Sequence, residues 1–148
     1  GQGDYRETEN PNRSYKGKTA VCYNERDLDN LIEMRKVMGD KPVIGVLTIA
    51  NLTVPAEFEP YLDALVVDFY VQRKATYEIL TGGFEPSALL PCIMPASMET
   101  VETHCEDLPF DMTPYTDSEG HTYDFGFGMN WSGVIHDERN ERYNRENG

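Results

Sequence analysis

Basic residues are scarce in this sequence. Thirteen Lys and Arg face 26 Asp and Glu, leaving a formal charge of −13. Nucleic acid and anionic membranes both need a basic footprint, so neither is an expected partner. Long hydrophobic runs are missing too, since none approaches the ~18 apolar residues of a membrane span. Cysteine is rare: Cys22, Cys92 and Cys105 form no CxxC pair and have no His at zinc-finger spacing. No disulfide framework follows, and Cys92, inside an apolar run, reads as a small core residue. The chain contains no GxGxxG, no Walker loop and no GxSxG elbow. Those absences count against nucleotide-binding, flavodoxin-like and serine-hydrolase readings. His104, His121 and His136 stand far apart, and the acids Asp111, Asp117, Glu119 and Asp124 miss the EF-hand spacing. No metal and no cofactor are therefore expected.

What is present is organised around Lys41–Asn51, KPVIGVLTIAN, an almost continuous apolar run rich in β-branched residues. It lacks strict alternation, so it reads as a strand covered on both faces, as parallel strands are. Before it, Leu28, Leu31, Ile32, Met34, Val37 and Met38 recur at helical spacing. Asn24 is placed as the N-cap of that helix, Asp27 as its capping-box acid and Gly39 as its C-cap. After the run come a short helix at Pro55–Tyr61 and a second buried strand, Ala64–Phe69. A helix at Val71–Leu80 ends on Gly82 and Gly83, and Leu89–Met94 is a third strand between prolines.

A chain of 148 residues is about one domain and buries roughly two-thirds of its unfolded surface. Residues 1–17 are a polar loop or arm, 18–133 form the folded segment, and 134–148 are a charged tail. The helix–strand alternation predicts an α/β fold. Its sheet is mostly parallel, with right-handed crossovers and helices on both faces. Residues 96–122 lack periodicity but contain Phe110, Met112 and Tyr115, which predicts a wrap packed on the sheet. Tyr123–Trp131, YDFGFGMNW, is expected to pack its rings inward; for Trp131 the alternative is a ring that stacks on the apolar face of a sugar, and the core role is the plainer one.

Three pieces together resemble the C-terminal domain of glycoside hydrolase family 3, the β-glucosidase and exo-glucanase family. Lys41–Asn51 followed by Ala56–Phe69 resembles its strand, short helix and DALVV-like strand. Ile79–Pro95, ILTGGFEPSALLPCIMP, resembles its helix end, Gly, acidic-Pro-Ser and Leu-Pro strand. Asp124–Trp131, DFGFGMNW, resembles its FGxGL closing segment. The resemblance spans about residues 5 to 133. Ala88 departs from it, since the family usually has Gly there.

The resemblance implies a six-stranded α/β sandwich packed on an N-terminal barrel, with the sugar site between them and the aspartate nucleophile on the barrel. It implies hydrolysis of β-glucosides or similar oligosaccharides, and a periplasmic or secreted setting. The chain reads as the later part of such a domain, truncated or cut from a longer precursor. It is expected to be inactive alone, because the nucleophile lies elsewhere. Its expected partners are the barrel or the rest of the precursor, or a second copy in a homo-oligomer. Retaining glycosidases use two carboxyl groups, a nucleophile and a general acid/base. In the exo-glucanase branch the acid/base loop reads Tyr-Thr-Glu-Thr, and Tyr5-Arg6-Glu7-Thr8 occupies that place. Glu7 is thus the candidate acid/base and Glu9 its nearest rival; the alternative is that both are solvated loop acids. Asp63 and Asp68 flank the second strand, Asp68 at the end where open α/β sheets place ligands, although a structural cap is the plainer role for both. The alternative function is a non-catalytic interaction or carbohydrate-binding module.

Overall fold

The computed structural model describes residues 25–105, 108 and 110–143. The first helix, α1, spans Glu25–Met38, the bounds its apolar spacing sets. It stops at Gly39, whose φ of +56 suits glycine and whose N–H donates to the Arg35 carbonyl at 3.2 Å. Leu28, Leu31, Ile32, Arg35 and Met38 make its half-buried face, while Met34 and Val37 point to solvent.

Strand β1 is Ile44–Thr48 and β2 is Ala64–Asp68, paired in parallel from Ile44↔Ala64 to Thr48↔Asp68. Between them, Phe58 and Glu59 both donate their N–H to the Pro55 carbonyl. A 3-10 turn at Glu59–Tyr61 then carries the chain back to the sheet. Asp63 fixes the register. Its carboxylate accepts from the Val43 N–H at 2.7 Å and pairs with Arg35 of α1 at 2.6 Å. Its own N–H donates to the Val43 carbonyl at 2.9 Å. The hydrogen bond from Val43, followed by that from Arg35, holds the Asp63 carboxyl below its ordinary pKa.

The expectation of a strand covered on both faces is corrected. Burial alternates along β1: Val43, Gly45, Leu47 and Ile49 face inward, whereas Ile44 is 47% and Val46 45% exposed. Among the described residues no helix covers that second face. The class is mixed α/β, and among the described residues β1 and β2 form a two-stranded parallel sheet.

Helix α2, Arg73–Leu80, ends before the two glycines as expected. Leu89–Met94, however, is no regular strand. Pro91 lacks a ladder N–H, and Pro86 and Pro95 interrupt on either side. The segment instead threads between two others. Leu90 donates to the Phe127 carbonyl and accepts from Gly126; Met94 donates to Tyr123 and accepts from Tyr115. Met94 is 0% exposed and, with Met112, Ile135 and Pro95, is among the best-buried side chains of this half. Gly128 lies so close that a Cβ there would stand 2.4 Å from the Ala88 carbonyl oxygen. A short helix α3, Met98–Thr103, is capped by Ser97, which accepts from the Thr100 N–H. Strands β3, Met129–Asn130, and β4, Gly133–Val134, make a small antiparallel hairpin. Helix α4, Glu138–Tyr143, follows, and Arg139 and Asn140 tie it to the carbonyls of Ser87 and Gly126.

The 96–122 region does pack through Met112 and the half-buried Tyr115, as expected, but Phe110 departs from the expectation. Met112 is buried, whereas Phe110 is 46% exposed. Met112→Ala should cost ~2–5 kcal/mol in denaturant melts, and Phe110→Ala less than ~1 kcal/mol because its ring is already half in water. Losses in the reverse order would contradict this packing. The open face of β1 and β2 should drive association of the 148-residue chain. Light scattering should find a dimer or larger assembly that Val46→Asp shifts toward monomer with little loss of stability, and a monodisperse parent monomer would refute it.

Candidate functional site

In open α/β sheets, ligands bind beyond the carboxyl ends of the strands. At that end here, the Asp68 carboxylate accepts from the Thr48 hydroxyl and from the Tyr70 N–H, each at 3.0 Å. The Ile49 N–H donates to the Asp68 carbonyl at 3.0 Å, continuing the ladder past β1. Tyr70 sits at φ +61, a left-handed backbone that non-glycine residues rarely adopt. The Tyr70 ring is 68% exposed. Thr48, Asp68 and Tyr70 therefore form a polar and aromatic corner at the sheet end, with the carboxylate already oriented by two donors.

Asp63, at the opposite end of β2, is a structural tie to Arg35 and Val43. Glu7, Glu9 and the Tyr5–Thr8 loop lie outside the described residues. Trp131 is corrected from a core ring to a surface one, 62% exposed, while its backbone N–H donates to a Glu85 carboxylate oxygen. No group of three or more His, Cys, Asp or Glu among the described residues is arranged to hold a metal ion. Cys92 is half-buried, and burial pushes its thiol pKa up; Cys105 is exposed.

A second polar cluster was missed by sequence reasoning. Asp117 opens the tight turn Asp117–His121. One of its carboxylate oxygens accepts from the N–H groups of Glu119 and His121, both at 2.9 Å. The other accepts from the Tyr123 hydroxyl at 3.1 Å and contacts the His121 ring at 3.0 Å. Tyr123 stacks on Tyr115 at 5.5 Å and meets Phe127 edge-on at 5.1 Å. The Tyr115 hydroxyl donates to Glu59 at 2.8 Å, joining this cluster to the 3-10 turn that links β1 to β2. Burial, followed by that hydrogen bond, pushes the Tyr115 pKa up to about 12. The readable signal was Asp-Ser-Glu-Gly at 117–120, an Asx-turn sequence. Every acceptor of Asp117 is engaged, so the cluster is a scaffold rather than a reactive site.

Comparison with known proteins gives one weak likeness. The chain is 26% identical over 96 residues to beta-glucosidase C of Emericella nidulans, a glycoside hydrolase by name. The match covers 65% of this chain and 15% of that protein. No protein-family model and no solved structure matches.

Burial alone would raise the Asp117 carboxyl, but the hydrogen bonds from His121, Tyr123 and Glu119 outweigh it and hold the pKa low. A lowered folded-state pKa adds stability that is present above the unfolded value, ~3.9, and is lost as pH falls through the folded one. Thermal melts should therefore weaken as pH falls below about 4. Asp117→Asn should cost about 1.5–3 kcal/mol at pH 7 and flatten that acid dependence. An unchanged acid slope in the variant would show that the cluster does not carry this linkage.

Proposed function

We propose that this chain is a C-terminal α/β segment of a family 3 glycoside hydrolase that acts on β-glucosides. In this reading it forms one wall of the sugar site. The observation that carries it is the 96-residue likeness to beta-glucosidase C; the motif resemblances at Lys41–Phe69, Ile79–Pro95 and Asp124–Trp131 support it separately. The Thr48–Asp68–Tyr70 corner supports it by placing hydroxyl, carboxylate and ring at the ligand end of the parallel pair. Pyranose recognition uses those groups: hydroxyl edges bond to carboxylates, and apolar C–H faces lie on rings.

In the same reading Glu7 is the general acid/base. It protonates the leaving-group oxygen and then activates water, while the nucleophile comes from a barrel elsewhere in the parent protein. The six-stranded sandwich belongs to this proposal, and the open face of β1 and β2 is where its remaining elements pack. A second reading, a non-catalytic interaction or carbohydrate-binding module, is favoured by that same open face. The two separate on activity.

The parent protein should hydrolyse an aryl β-glucoside. Glu7→Gln should slow substrates with poor leaving groups by about 10²–10⁴-fold and activated aryl glucosides far less, because only the former need strong protonation. Equal loss on both substrates sinks the Glu7 assignment. No hydrolysis by the intact parent leaves the non-catalytic reading standing.

A further inference from the structure

The pattern Asn-x-Ser/Thr, with any residue but proline in the middle, is the acceptor for N-linked glycosylation. It occurs three times in this chain, as Asn12-Arg13-Ser14, Asn51-Leu52-Thr53 and Asn130-Trp131-Ser132. The pattern alone is common, so the fold has to decide between them. A folded protein carries a glycan only where the asparagine side chain can leave the surface, because the oligosaccharide is bulky and strongly hydrated.

Asn12 lies outside the described residues. Asn130 is a poor acceptor. It belongs to β3, is half-buried and faces Gly133 across the hairpin. Its side-chain oxygen accepts from the Ser132 N–H at 2.8 Å, which closes an Asx-turn over the pattern itself and holds the side chain down.

Asn51 differs on each count. It stands in the bend that follows β1 and is exposed, as are its neighbours Ala50 and Leu52. Among the described residues its side-chain amide makes no hydrogen bond, so nothing has to be broken to modify it. The Thr53 hydroxyl turns back to donate to the Asn51 carbonyl at 3.4 Å. The two groups that an acceptor needs are therefore brought together on one short turn. Past Thr53 the chain dives inward at the fully buried Pro55, which anchors the loop while Asn51 stays in solvent.

We propose that Asn51 is an N-glycosylation site, modified during export from a lipid-diphosphate-linked oligosaccharide. In that step the Asn51 amide nitrogen attacks the anomeric carbon of the donor. A C–N bond forms and the anomeric C–O bond breaks. The bonding pair leaves with the lipid diphosphate, and the amide gives up one proton. Nothing is oxidised or reduced. The proposal goes beyond the reading of the chain as part of a hydrolase and does not need it.

The test is a peptide map of the parent protein purified from its source. Peptide-N-glycosidase in heavy-oxygen water turns a glycan-bearing Asn into labelled Asp. The label is expected at Asn51 and not at Asn130. A second arm secretes the 148-residue chain from a eukaryotic host, behind a secretion leader, and reads its electrophoretic mobility. Asn51→Gln and Thr53→Ala should each remove one step of the glycosidase-sensitive shift. Thr53→Ser should keep that step, and Asn130→Gln should leave it unchanged. The sugar is added as the chain enters the export compartment, so a variant that folds poorly still reports on its acceptor. An unlabelled Asn51 in the source protein overturns the proposal whatever the second arm shows. So does a mobility shift that survives Asn51→Gln undiminished, or label that appears at Asn51 equally without the glycosidase, which is deamidation.

Discussion

One carboxylate sets the geometry of the first half of this protein. Asp63 binds the Val43 N–H, pairs with Arg35 of α1 and returns its own N–H to the Val43 carbonyl. Helix, first strand and second strand are thereby joined at one point just before the parallel pair begins. The register Ile44↔Ala64 follows, and with it Thr48↔Asp68 at the far end. A slip of one residue would turn every side chain of β2 to the opposite face. The Thr48–Asp68–Tyr70 corner exists because that slip is blocked five residues upstream.

Elements driven by local pattern were legible in the sequence. Helix α1 has its bounds from apolar spacing and Gly39, and β2 and α2 lie within the stretches read for them. What was illegible depended on neighbours. An apolar strand such as Ile44–Thr48 states what its faces can tolerate, not whether anything covers them. Leu89–Met94 has strand-like composition, but Pro91 removes a donor and the segment pairs irregularly with two others instead. Phe110 and Trp131 were read as core rings because aromatics usually are. Their exposure comes from where the 96–135 region folds back, which periodicity does not report. Of the site residues, Asp68 was legible through its place at a strand end, whereas Tyr70 was not, because its left-handed backbone has no signature in its side chain. Glu7 lies outside the described residues, so its role rests on motif alone.

The two halves are built on different principles. The first is a helix and two strands whose pairing is regular and local. The second is an interlaced set of short extended segments in which buried Met94, stacked Tyr115 and Tyr123, and Asp117 replace a sheet. Regular strands give a defined end at which to place ligand groups. Interlaced segments leave concave surfaces between turns, and a cleft beside Phe125 is one of them. Its acid-rich lining accords with a chain that carries twice as many acids as bases.

The hydroxyl of Tyr115 meets Glu59 across a separation of 56 residues, and Arg139 reaches Ser87 across 52. The β1–β2 pairing spans only 20. Closing longer loops costs more chain entropy before any contact rewards it, and distant contacts slow folding in general. The order of assembly follows from this asymmetry. The α1–β1–β2 unit can form early from near neighbours, while the ties of Tyr115 to Glu59 and of Arg139 to Ser87 must wait for distant segments to meet. Until they do, the open face of β1 is the part of the nascent chain that stays adhesive.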